Sequence, residues 1–257
     1  MRNIVVIVAL GLLLTSCKSK GQWESLAGEH RADVEAFLTK LLGVRAATPS
    51  APSDPSCWKL APGESLRVWD KDGKPANTLR ILDADLAAQL EREHDSIDYS
   101  LRTVRPQTDI ELLRLVVWIR HPGRYEGDSS LFEAFKRVVG WYKGIRYVAV
   151  MIPDDVVDYS EKDPSLPARW NGRIALYDLQ TSRWLGAVKL AMQGDRAKLF
   201  EYEWVDGHGR RVGPAGPDVR RDIQAARDRL NDLIDAAARY AIESGTSITD
   251  VSQLPKK

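Results

Sequence analysis

Apolar residues recur along this chain with two different periods, and the switches between them mark its elements. Trp23, Leu26, His30, Val34, Phe37 and Leu41 stand three or four apart, which predicts an amphipathic helix over about residues 22–43, ended by Gly43. His30 lies on that apolar stripe, where a histidine is expected to pack rather than to ligate. The same spacing returns in Val219, Ile223, Ala226, Leu230, Leu233, Ile234 and Ala237. It predicts a long helix over about 217–243, with Pro217 and Asp218 suited to its start and Gly245 to its end.

Between the two helices the pattern is that of strands. Leu66–Trp69 reads as a strand, Asp70–Gly73 as a turn and Leu79–Leu82 as the return strand, with Asp83 capping a short helix that carries Leu86 and Leu90. The nearly continuous apolar run Leu112–Ile119 predicts a central strand stopped by His121-Pro122-Gly123. Ser130–Glu133 fits a capping box opening a helix that Gly144 closes, and Arg146–Ile152 is a further strand. An acidic, proline-containing loop is expected over about 153–172. Arg173–Leu179 and Trp184–Met192 then form a hairpin. Leu199–Val205 alternates aromatic and acidic residues, as a half-exposed strand does, and Asp206–Gly209 turns the chain.

Strand–helix–strand over 112–152 suggests one parallel crossover, while the later strands come without helices between them. The expected class is α+β: a mixed or mainly antiparallel sheet with helices covering one face, preceded by an N-terminal amphipathic helix. Residues 46–56, with three prolines among small residues, are expected to be a semi-rigid linker between a 17–45 segment and a 57–245 domain. Residues 246–257 are expected to be a mobile tail.

The first segment carries the most specific motif. Arg2 supplies positive charge, Ile4–Leu14 is uninterruptedly apolar, and Leu14-Thr15-Ser16-Cys17 follows at once, before a polar stretch beginning at Lys18. As a helix the apolar run measures roughly 16 Å, too short for ~30 Å of hydrocarbon. These residues resemble a bacterial lipoprotein signal peptide with its lipobox. The resemblance implies that residues 1–16 are cleaved and that Cys17 carries acyl chains, two or three of which give stable anchoring in a membrane. With Lys18 and not Asp after the cysteine, it favours the periplasmic face of the outer membrane in a host with two membranes.

Loss of residues 1–16 removes Arg2 alone and leaves basic and acidic residues equal at 36 each. A chain so balanced, and exported, is not expected to bind nucleic acid. Cys57 is then the one remaining thiol, so no internal disulfide is possible, and a buried position is expected for it.

Candidate chemistry is sparse. Asp154, Asp155, Asp158, Glu161 and Asp163 gather acid in one stretch, but without the order of a calcium loop. His121 and His208 sit in turns and would need a carboxylate from that stretch to form an acid–base or zinc site; no local ligand pair starts one. No nucleophile elbow, Ser-x-x-Lys or glycine-rich phosphate loop occurs, so neither cofactor nor metal is called for. Arg210-Arg211 and Arg220-Arg221 flank the last helix, whose exposed face mixes both signs of charge as a solvated face does. Of the eight tryptophans, Trp170 is expected in a loop beside Arg169 and Asn171, where it would suit a glycan or polymer surface. The expected function is a non-enzymatic interaction or assembly module of the cell envelope, binding a protein or a cell-wall polymer. The alternative is a periplasmic hydrolase built on His121 or His208.

Overall fold

A computed structural model describes residues 2–54, 56–68, 76–83, 104, 133, 136, 142–197, 202–205, 211–215 and 218–255, with side chains described outside 2–22, 202–205 and 211–215. The elements are helix α1 (Arg2–Ala47), strands β1 (Thr78–Leu82), β2 (Tyr147–Val157), β3 (Arg169–Asp178), β4 (Arg183–Gln193), β5 (Tyr202–Val205) and β6 (Arg211–Ala215), and helix α2 (Val219–Ser244). Four strands form a sheet in the order β1-β2-β3-β4, and β5 and β6 form a separate antiparallel pair. β1 runs parallel to β2, while β2–β3 and β3–β4 are antiparallel. The fold is therefore α+β around a mixed sheet.

Helices cover both faces of that sheet, not one. The first half of β2 is buried throughout. Val148 and Val150 point to α1, where they join Trp23, Val34, Phe37, Leu38, Leu41 and Val44 together with Leu79 and Ile81 of β1. Tyr147, Ala149 and Met151 point the other way, toward Ile223, Leu230, Ile234, Ala237 and Ala241 of α2. A run apolar at every position is the mark of a strand enclosed on both sides, and Tyr147–Ile152 is such a run. α1 does not stop at Gly43: Val44 is fully buried beyond it, and packing carries the helix to Ala47.

α2 begins and ends as its sequence predicts. The Asp218 side chain accepts from the Arg221 N–H, and Gly245 takes the left-handed conformation, its N–H donating to the Ala241 carbonyl. The β3–β4 hairpin is also present, in register from Arg169↔Gln193 to Asp178↔Arg183.

Three expectations are corrected. Leu79–Leu82 is a strand, but its partner is β2; among the described residues the 66–68 segment meets it through an isolated parallel bridge, Val68 to Thr78, and not as an antiparallel return strand. The proline-rich segment is fastened to the sheet and is not a spacer. Thr48–Ser50 makes a 3-10 turn, Ala51 is buried against Ala175 and Ala187, and Ser56 exchanges backbone hydrogen bonds of 2.8 and 3.2 Å with Ala187. Gly186 (φ +154°) permits this approach, since a Cβ there would lie 2.7 Å from the Ser56 carbonyl oxygen. The C-terminal segment is tied down as well. Ile248 is buried and bonds to Lys189 and Ala191 of β4, and Asp250 and Gln253 close a capping box around the turn Val251–Gln253. The strand over 112–119, the helices expected after Asp83 and Ser130 and the turns 70–73 and 206–209 lie outside the described residues, except that Tyr142–Gly144 forms a 3-10 turn.

Candidate functional site

α1 lies along β1 and β2 and runs in their direction. In the second half of α1, Asp33 accepts from the Tyr142 hydroxyl (3.3 Å) and pairs with Lys143 (3.3 Å), in the turn before β2. His30 sits edge-on to Tyr142, mostly covered, in the packed position its stripe predicts. Near the end of α1, Leu42, Arg45, Ala46, Thr48 and Pro49 stand beside Asp83, just after β1, and the cross-strand pair Ile152 and Arg173, midway along β2 and β3. Together they line an open cleft of about 690 Å³. Along α1 the chain therefore passes from the turn before β2 to a cleft beside the middle of β2 and β3. Cys17 itself is a backbone position in α1, six residues before Trp23, the first buried side chain described. Among the described residues no helix is long and apolar enough to cross a membrane.

The acidic stretch begins in β2 and continues as a loop after Val157, and its carboxylates are each engaged separately. Asp154 and Asp155 belong to β2, at a bulge between Pro153 and Asp155. Arg173 Nη1 donates to Asp154 (2.6 Å), Arg169 Nε to Asp155 (2.8 Å), and Asn171 Nδ2 also reaches Asp155 (3.4 Å). Asp158 accepts from Arg227 (3.0 Å), Glu161 pairs with Arg220 (3.3 Å), and Asp163 accepts from the Ser165 backbone and hydroxyl. Among the described residues no three His, Cys, Asp or Glu side chains gather where a metal ion would sit. The pairing of Arg169 and Arg173 with these carboxylates follows from the β2–β3 register and has no local signal in the sequence.

Trp170 is not a loop residue. It lies on β3 facing α2 and is 1 % exposed, so it offers no surface to a ligand. Cys57 is exposed, contrary to expectation, because the extended chain beside Ser56 turns alternate residues to opposite sides and Trp58 takes the inward place. His121, His208 and Arg210 lie outside the described residues, and Arg220 is accounted for by Glu161.

A further electrostatic network has no signature in the sequence because its members are far apart in the chain. At the α1-entry end of the sheet Arg146 binds Glu64 through Nη1 and Asp178 through Nε (3.4 Å) and Nη2 (3.2 Å). Its guanidinium also lies 4.9 Å from the Tyr147 ring centroid, and the Tyr147 hydroxyl donates to Glu64 (2.6 Å). Burial acts to raise the pKa of Asp178, but hydrogen bonds from Arg146 and the Gln180 N–H hold it below the usual carboxylate value. The Tyr147 phenol is pushed up to about 12, first by burial and then by Glu64. The strong donors here have their acceptors, and the network fastens the 61–66 segment to β2 and β3. A depressed carboxylate stabilises the fold above its unfolded pKa of ~3.9 and ceases to do so as pH falls through its lower folded value. Unfolding midpoints measured from pH 6 down to 2 should therefore decline below about pH 4. Asp178→Asn should lower the plateau and flatten that decline; an unchanged slope would contradict this assignment.

No family model, no curated protein and no solved structure matches this chain.

Proposed function

We propose that this chain is a lipid-anchored lipoprotein of the bacterial cell envelope, a non-enzymatic module that presents its α+β domain to a protein partner or a cell-wall polymer. The observation that carries the reading is Leu14-Thr15-Ser16-Cys17 directly after the apolar Ile4–Leu14 run. In this reading residues 1–16 are removed and the acyl chains on Cys17 hold the protein at the membrane, facing the periplasm in a two-membrane host.

The docking of α1 on the sheet gives the anchor a definite mechanical consequence. Cys17 and Trp23 are separated by roughly 9 Å along a helix and by about 20 Å of fully extended chain. The domain then stands close to the bilayer on its α1-entry end. The cleft beside Arg45 and Arg173 lies at the C-terminal end of α1, the end of that helix away from Cys17, where an envelope partner would approach.

The test is Cys17→Ser in a bacterial host supplied with an alkyne-tagged fatty acid. Acyl labelling should disappear and the protein should leave the membrane fraction. Retained labelling, or unchanged fractionation in carbonate-washed membranes, would overturn the anchor.

A further inference from the structure

We propose that a pocket beside α2 binds a small zwitterion with an apolar side chain, of the free amino-acid type. The pocket holds about 390 Å³ between α2, the end of β4 and the C-terminal turn, a size in the range of small-ligand sites. Leu230 and Leu233 of α2 form one wall, and Val251, 49 % exposed, stands opposite on the turn that Asp250 and Gln253 fix. Gly194 forms the floor. A Cβ there would meet the Tyr159 hydroxyl and come within 3.2 Å of Leu230, so the glycine allows β4 to close against α2.

The polar side of the pocket carries both signs of charge. Arg229 and Asp195 both line it, and among the described residues neither makes an ion pair or a side-chain hydrogen bond. Nearby charges behave differently: Arg227 is held by Asp158, and Arg220 by Glu161. Both Arg229 and Asp195 lie within electrostatic reach of the Tyr159 phenol, whose proton is committed to the Asp195 carbonyl (2.8 Å). The Gln193 amide, also on the lining, has its donors and acceptor to spare. A simple carboxylate would answer only Arg229, and a simple amine only Asp195. A zwitterion answers both, while its apolar side chain covers Leu233 and Val251. The inference is independent of the anchor: it rests on this pocket alone.

The test is calorimetric titration of the purified full chain with L-leucine, with leucinamide (no carboxylate) and with 4-methylpentanoate (no amine). Leucine should bind saturably and at least tenfold more tightly than either analogue. Arg229→Gln should weaken leucine at least tenfold and leave leucinamide unchanged; Asp195→Asn should weaken leucine and leave 4-methylpentanoate unchanged. Both side chains are at the surface, and unchanged unfolding midpoints would verify that the variants fold. Absence of saturable leucine binding would overturn the proposal. So would 4-methylpentanoate binding as tightly as leucine, or Arg229→Gln weakening leucine and leucinamide alike.

Discussion

Trp170→Ala should destabilise the protein by roughly 3–5 kcal/mol, the usual cost of removing a fully buried large aromatic side chain. The indole is 1 % exposed and belongs to the core with Tyr159, Ala168, Met192 and the buried face of α2. Its far edge passes over Gly172, where a Cβ would lie 2.6 Å from the ring and would also strike the Ile152 carbonyl. The space below the ring is thus backbone on one side and helix on the other, and neither can move in to refill it. Deletion should leave a cavity as well as lose transfer energy. Urea unfolding of wild type and variant measures the difference, and Trp170→Phe should fall between them. A loss under about 1 kcal/mol would mean that the ring is solvated, as a ligand-binding tryptophan would be.

That outcome bears on what the sequence could say. α2 was legible because it keeps a 3.6-residue stripe with start and stop signals of its own, and Gly245 ends it where it should, whereas Gly43 does not end α1. The β3–β4 hairpin was legible because its connection is short and polar. What failed was assignment across distance. Asp154 and Trp170 looked like loop residues because Pro153, Gly172 and the acids between them are turn-formers; the β2–β3 ladder overrode those propensities with ten register pairs. The face that α1 covers was likewise hidden. Val148 and Val150 form a continuous run with Ala149 and Met151, and a continuous run does not say which helix lies on which side. The same limit applies to the site. Glu64, Arg146 and Asp178, and equally Tyr159, Asp195 and Arg229, converge from segments between 32 and 114 residues apart only by virtue of the fold.

Leu41→Asp should detach α1 from the sheet, whereas Leu42→Asp, one residue on, should do almost nothing. Leu41 is completely buried between α1 and the strands, in the cluster with Leu79, Val148 and Val150; Leu42 is 45 % exposed on the cleft side. A carboxylate at 41 has no cation among those neighbours. It must lose its hydration, take up a proton or push the helix away, and each course costs several kcal/mol. Displacing the helix lets the carboxylate regain water but exposes Trp23, Phe37 and Leu38 as well. The expected result is a domain joined to its N-terminal segment by a mobile tether. Limited trypsin digestion reads this directly, because Arg31, Lys40 and Arg45 lie on α1 and should be cut rapidly in Leu41→Asp only. In membranes the digest should also free the 46–257 part from the anchored stub, while wild type and Leu42→Asp stay bound over the same time. Equal resistance in all three proteins would show that α1 does not depend on this contact, and with it would go the argument that a docked helix keeps the domain close to the bilayer.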